Sequence, residues 1–529
     1  MPGVGFGLRW GHTRFADLIA IAPGAAYFVG VAAFFAGSRS ALLIPLLLAP
    51  TPLFVYALLQ RTQLTSAEKT TLWCCTALFT ALVLGFVISV NAFAGLVVVS
   101  LAIAAFACAR FPVHATAAVF AAAGAFGSIQ AFLHVSGQRI VDPLLAGLWF
   151  AALWAWLIAR RGRGAWIWPG TALVGLHLLL SAAEIITSPH PIQAIQSFRA
   201  TQWYLGAAIL VAYAPWPERA RPALTRALIV MAGLIGAYAA VRWVVGPAAS
   251  ERTLAERSLN NFLNGKLRPV GSFPTTKELA SWSALTLPFL TGMALASRGR
   301  WRLISAAGAI ACVVGMLAAN VRAGPAAAGV GVVVVVVLYQ LANAFSGRRG
   351  ASVPVAIGGA TAVAAAAFAL TLGGHSDTSQ RYSALLHPSN DPSYQARLIK
   401  WRTALNDISA APLGHGLGTS GNVQARYGRF KTIGSIDVDN SYLKVAYEQG
   451  LAVMILVAAA FGLLLFGLAR RALATRDPAR AGPALAASGT LAAMLVLFFV
   501  GDYIEGLQAL AGWILVGLGI AAVSASEPA

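Results

Sequence analysis

Apolar runs of membrane-crossing length recur along this chain, and nothing constrains its fold more. One of them, residues 451–469, reads LAVMILVAAAFGLLLFGLA. A bilayer core takes about 20 apolar residues per helix. Such runs fall near 15–36, 41–60, 71–90, 92–109, 115–133, 141–158, 166–187, 200–215, 225–245, 277–297, 303–320, 323–343, 353–372, 440–467, 483–500 and 507–524. In lipid every backbone polar group needs an internal partner, so the runs are helices. The chain is 58% hydrophobic and only 11% charged, with a mean hydropathy of +0.73, whereas soluble domains carry about 25% charged residues. These features predict an all-α polytopic membrane protein with about 14–16 transmembrane helices. The stretch from Phe15 to Gly37 is too long for a signal-peptide core and lacks a small-residue cleavage site, so it reads as the first span.

The net charge is +20. Its distribution points to membrane orientation, not to nucleic acid. Arginines crowd alternate short loops: Arg160, Arg161 and Arg163; Arg219, Arg221 and Arg226; Arg298, Arg300 and Arg302; Arg470 and Arg471. The positive-inside rule then puts both termini in the cytoplasm. Two long segments, 246–276 and 373–438, become outer loops. They divide the chain into an N-terminal bundle, 1–224, and a region, 225–529, that holds both loops. The four cysteines (Cys74, Cys75, Cys108 and Cys312) lie in apolar segments and read as small core residues.

The longer loop is partly helical by pattern. Asp391-Pro392 resembles an N-cap followed by proline at the first helical position. Tyr394, Leu398, Trp401, Leu405 and Ile408 then form one apolar stripe, with Arg397, Lys400, Arg402 and Asp407 on the other faces. Pro412 and Gly414 end the helix.

The sequence SIDVDNSYLKVAYEQG, residues 435–450, places ionisable groups at the mouth of an apolar span. Such groups are costly in hydrocarbon and are a functional hypothesis by default. Asn440, Lys444, Tyr447 and Glu448 share one helical face. The plain alternative is that Asp439 caps the helix and Lys444 pairs with Glu448. Three more stretches face the same side: KLRPVGSFPTTKELASW (266–282), NVRAG (320–324) and PLGHGLGTSGN (412–422).

In order and spacing these elements resemble the O-antigen ligase/polymerase superfamily of bacterial envelope glycosyltransferases. The resemblance covers roughly 225–525. It rests on Arg268-x-x-Gly271-Ser272-Phe273, on the Arg322-Ala323-Gly324 turn, on Gly414, Gly416 and Gly418, and on Asp439-Asn440-Ser441-Tyr442-Leu443 followed by Glu448-Gln449-Gly450. It implies a GT-C-like fold and an undecaprenyl-diphosphate-linked glycan donor. It implies neither cofactor nor metal, and inversion at the anomeric carbon. The implied acceptor is a glycan hydroxyl, in a polymerase, or lipid A-core, in a ligase. Ligase relatives carry histidine where Asp439 stands, which favours the polymerase-like reading. Membrane lipids, a chain-length regulator or a flippase are implied partners, and the bacterial inner membrane is the implied location.

Chemistry assigns the roles. A diphosphate calls for guanidinium forks. Arg268 and Arg322 are the first choices, while Arg381, Arg397 and Arg402 are placed to close over from the long loop. A sugar hydroxyl calls for a general base. Asp439 is the best-placed carboxylate and Glu278 the second. Lys277, His415, Gly416, Asn440 and Tyr442 are further substrate-binding candidates. The expectation is a shared outer pocket of Arg268, Arg322, Gly416 and Asp439. A transporter or flippase remains the rival of another class. It would show polar sites at mid-membrane depth in broken helices.

Overall fold

A computed structural model describes residues 108, 111–158, 168–214, 220–263, 265–345, 392–421, 423, 438–475 and 478–524. The expected spans at 15–36, 41–60, 71–90 and 353–372, nearly all of 92–109, and Cys74, Cys75, Arg381 and Asp391 lie outside the described residues.

Among the described residues there are 16 α-helices. The first half comprises α1 (Pro112–Gly124), α2 (Phe126–Leu133), α3 (Gln138–Ile158), α4 (Pro169–Thr187), α5 (Pro191–Ala200), α6 (Gln202–Tyr213), α7 (Ala220–Val245) and α8 (Ala249–Ala255). The second comprises α9 (Thr276–Ala296), α10 (Arg300–Ala319), α11 (Ala323–Phe345), α12 (Pro392–Ala410), α13 (Ser441–Gln449), α14 (Leu451–Ala474), α15 (Pro478–Val500) and α16 (Leu507–Ser524). The described strands, β1 (Phe262–Leu263) and β2 (Lys266–Leu267), form one small antiparallel hairpin in the 246–276 loop. Among the described residues, seven helices are long and apolar enough to cross a membrane, or up to eight if α1 and α2 count as one bent span. The chain is an all-α, multi-span membrane protein.

Helix α9 is the axis of the bundle. It is buried along its whole apolar length and packs against α10, α11 and α15. Small residues permit such crossings in lipid. A Cβ on Gly331 of α11 would come within 2.6 Å of the Gly489 carbonyl of α15.

Two expected spans are broken. The run at 115–133 bends by 78° between α1 and α2. Ser272 holds the bend: its carbonyl accepts from the Gly127 and Ser128 amides at 2.9 and 3.1 Å, and its hydroxyl donates to the Gly124 carbonyl at 2.6 Å. The run at 440–467 is interrupted at Gly450, whose φ of 92° and ψ of 164° suit glycine alone. The break leaves carbonyls at the C-terminus of α13 without helical donors. The glycine-rich loop supplies donors: the His415 amide donates to the Tyr447 carbonyl at 2.9 Å and the Gly416 amide to the Glu448 carbonyl at 2.8 Å.

Helix α12 forms where the loop pattern predicts, but its phase differs. Arg397 turns inward, Ala404 and Ile408 are buried, and Leu405 is 52% exposed. The acidic Asp439 below draws Arg397 to the packed side.

Contacts define the two ends of the bundle. The Arg268 side chain meets the C-terminus of α10, so the 246–276 loop and the 320–323 turn share one end. The α12, α13 and 501–506 segments interlock at the ends of α9 and α15 that belong to this same side. Arg471 lies over the Trp168 ring at the opposite end.

Candidate active site

Asn440, not Asp439, caps α13. Its Oδ1 accepts from the Tyr442 and Leu443 amides at 2.9 and 3.1 Å, and its Nδ2 donates to the Phe499 carbonyl at 2.9 Å. Asp439 precedes the cap with a φ of 44°, a left-handed conformation that aspartate and asparagine tolerate better than most residues. Its carboxylate is therefore free of capping duty and points to α12. Arg397 Nε donates to Asp439 Oδ2 at 2.8 Å. Trp401 Nε1 donates to the Asp439 carbonyl at 3.4 Å, and the Trp401 ring meets Phe499 edge-on at 5.4 Å.

The short connection between α15 and α16, residues 501–506 with the sequence GDYIEG, closes the other side. Ser441 locks it in place. The Ser441 hydroxyl donates to the Gly501 carbonyl at 3.0 Å and accepts from the Tyr503 and Ile504 amides at 3.1 Å. Lys277, in the first turn of α9, places its Nζ 4.4 Å from the centre of the Tyr503 ring and donates to the Asp502 carbonyl at 3.4 Å. Burial raises the Tyr503 hydroxyl above its ordinary pKa. Lys277 and Arg397 pull it down, and Asp439 raises it further. Tyr503 thus stays a neutral hydroxyl within the field of all three charges.

Lys444 does not pair with Glu448. It is 4% exposed and bridges Asp502, at 3.2 Å, and Glu505. Glu448 turns the other way: Ser420 donates to it through its amide and hydroxyl at 3.2 and 2.7 Å, and Ser197 through its hydroxyl at 3.2 Å. The break at Gly450 and the glycine-rich loop give each charged group a separate partner. Asp502, Tyr503 and Glu505 escaped the sequence reading. Acidic residues between two spans were a signal of the same kind as Asp439, but the flanking segment is short and matches no motif.

The remaining candidates divide. Arg268 Nη1 donates to the Ala319 and Asn320 carbonyls at 3.2 and 3.0 Å, and Nη2 donates to the Asn260 carbonyl. At the C-terminus of α10 this cation also meets the negative end of the helix dipole. Arg322 lies half-buried in the turn that Arg268 grips. Asn261, also missed in the sequence, keys this region to α9. Its carbonyl accepts from the Arg268 amide at 2.8 Å and its Oδ1 from the Thr276 amide at 3.0 Å. Glu278 closes a capping box: its Oε2 accepts from the Thr275 amide at 3.0 Å and hydroxyl at 2.7 Å. His415 stacks on Tyr447 at 4.2 Å, and its Nδ1 lies 3.1 Å from the Tyr447 carbonyl. A carbonyl only accepts, so that nitrogen carries the proton. Gly416 has open space where a Cβ would stand, with Thr419 3.9 Å away. Tyr442 is half-buried and edge-on to Phe498. Arg402 is exposed on α12.

The structure therefore pairs Asp439 with Arg397, sets Lys277 beside Tyr503 in the neighbouring 501–506 loop, and holds Arg268 on the turn of Arg322. Gly416 and His415 attach to the far end of α13. Among the described residues, no three His, Cys, Asp or Glu side chains gather as metal ligands. A carboxylate paired with a guanidinium at a helix mouth can take a proton while the cation holds an anion nearby.

These features define a class: a helical multi-span membrane protein with its ionisable site at one end of the bundle. Residues 307–458 match the family model described as O-antigen ligase, which supports membership of the O-antigen ligase/polymerase superfamily. The match holds Arg322, Arg397, Arg402, His415, Gly416, Asp439, Asn440 and Tyr442, and leaves Arg268, Lys277, Glu278 and the 501–506 loop outside it. No curated protein matches the chain. The family and the apolar helices together support an inner-membrane, multi-pass protein with glycosyl transfer of the O-antigen ligase or polymerase kind.

Proposed function

We propose that the protein is a polymerase-like glycosyltransferase. It moves an undecaprenyl-diphosphate-linked glycan onto a sugar hydroxyl at the outer face of the cytoplasmic membrane. The observation that carries this reading is the meeting of Asp439 with Arg397 at 2.8 Å, beside Lys277 and Tyr503, beneath a loop helix. Asp439 takes the acceptor's hydroxyl proton as that oxygen bonds to the anomeric carbon. The bond from that carbon to the phosphate oxygen breaks, and its electron pair leaves with undecaprenyl diphosphate. Arg397 and Lys277 stabilise the negative charge that builds there. Arg322, Arg381 and Arg402 supply further cations, and a single displacement inverts the anomeric centre without a metal.

Helix-end location of the charges argues for an enzyme over a transporter, whose polar sites lie near mid-membrane in broken helices. Arg268 is better suited to holding the 246–276 loop on α10 than to holding a ligand, since three carbonyls already engage its guanidinium. Ligation to lipid A-core stays as a second reading because the matched family model is described as O-antigen ligase.

The test is transfer from purified lipid-linked oligosaccharide. The Asp439→Asn variant is expected to keep its expression and melting temperature and to lose about 10²–10⁴-fold in rate. Wild-type turnover in that variant would remove Asp439 from the chemistry.

A further inference from the structure

We propose that Arg397 is an exchangeable partner of Asp439. In the free protein the two hold each other, and the donor's diphosphate draws Arg397 away, releasing the carboxylate when the acceptor hydroxyl needs a base. This rests on the glycosyl-transfer reading above. It adds an order to it: donor binding switches on the base.

The two ion pairs of the site differ in how easily they open. Lys444 with Asp502 and Glu505 is a buried cluster, its side chains 4%, 9% and 10% exposed. Removing a member of such a cluster strands a charge away from water, so it stays closed. Arg397 and Asp439 are 32% and 22% exposed. Water screens them, and ion pairs of this kind add little stability. A diphosphate carries more charge than one carboxylate and presents several oxygens to the guanidinium fork, so it competes well for Arg397.

The helix that carries Arg397 is anchored independently of the pair. Trp401 donates to the Asp439 backbone carbonyl and packs on Phe499. Ile408, about two turns further on, is buried with Ala446 and Tyr447 of α13. The Arg397 side chain can therefore swing without α12 leaving the bundle. When it does, Lys277 remains near Tyr503 to keep positive potential beside the carboxylate. Asp439 then faces the site without a donor on its Oδ2.

Equilibrium binding of undecaprenyl diphosphate without sugar, to the full chain in detergent micelles, tests the exchange. Asp439→Asn removes the competitor for Arg397 and is expected to tighten binding by about 2- to 5-fold, the scale of one exposed ion pair. Arg397→Ala is expected to weaken binding, and Arg397→Lys to weaken it less. The decisive variant combines Asp439→Asn with Arg397→Ala, and exchange predicts that it binds no more tightly than Arg397→Ala alone. If the gain from Asp439→Asn persists without Arg397, the carboxylate merely repels the anion, and exchange is overturned. Equal binding by Asp439→Asn and wild type overturns it too. In both cases the donor still binds and the glycosyl-transfer reading stands. A wild-type protein that binds no undecaprenyl diphosphate would overturn both.

Discussion

At the scale of single residues, the site turns on which carboxylate is left without a structural task. Asp439 and Asn440 are adjacent, and in the sequence either serves as the cap of the next helix. Backbone geometry decides. Asn440 is extended and accepts two amides, while Asp439 sits at a φ of 44° and accepts from Arg397. This alters what substitutions mean. Asparagine tolerates the left-handed conformation, so Asp439→Asn isolates the loss of the proton acceptor. Glutamate carries a longer side chain and pays a conformational cost there of about 1–2 kcal/mol. Reduced activity in Asp439→Glu thus has a backbone cause as well as a chemical one. Lys444 presents the opposite case, a cation whose role is structural. Lys444→Met leaves Asp502 and Glu505 buried without a counter-charge and is expected to destabilise the fold by about 3–5 kcal/mol. Thermal melting in detergent measures this, and adding Asp502→Asn and Glu505→Gln should restore most of the loss. A melting point unmoved by Lys444→Met would show that the cluster is not closed to water.

At the scale of elements, the sequence made the spans legible because hydrocarbon forces about 20 apolar residues wherever a helix crosses it. The runs at 277–297, 303–320 and 323–343 became α9, α10 and α11 with ends shifted by only a few residues. The breaks were not legible, because glycine inside an apolar run is ordinary in membrane helices and nothing local marks Gly450 as a corner. Its partner is another segment: a Cβ on Gly450 would come within 2.7 Å of the Pro412 carbonyl. The phase of α12 was missed for a similar reason. Its apolar stripe was visible, but Asp439, which turns Arg397 inward, lies 42 residues away in the chain. A pair of substitutions tests whether the corner matters. Gly450→Ala meets both a backbone clash and a conformation that costs about 1–3 kcal/mol, so it should lower the melting temperature and pull the 412–421 loop from α13. Gly416→Ala has a φ of 99° but open space around its Cβ, so it should lower the melting temperature less. Equal losses would mean that backbone strain alone, and not the seating of the loop on α13, sets the effect.

At the scale of the whole molecule, charge predicts the sides of the bundle before any contact is known, since basic residues in short loops mark the ends expected to stay in the cytoplasm. The sequence could assign Arg268, Arg322 and Asp439 to one side but could not say what they touch there: three backbone carbonyls for Arg268 and the Arg397 guanidinium for Asp439. The same charge rule, applied to the folded bundle, predicts which side faces out. Arg298, Arg300 and Arg302 join α9 to α10, and Arg470 and Arg471 end α14, all at the end away from Asp439. These are short connections, where the rule is strongest. The basic residues at the Asp439 end lie mostly in the two long loops, which cross the membrane largely regardless of charge. The site should therefore face outward, where a lipid-linked glycan waits for transfer. Cysteine labelling measures this directly. Cys108 and Cys312 are buried, and replacing Cys74 and Cys75 by serine gives a quiet background. Arg402→Cys on exposed α12 should then react with a membrane-impermeant maleimide in cells whose outer membrane alone has been opened. Arg298→Cys should react only after the inner membrane is breached as well. The reverse pattern would put Asp439 in the cytoplasm, where no periplasmic donor reaches it, and the polymerase reading would fall with the orientation.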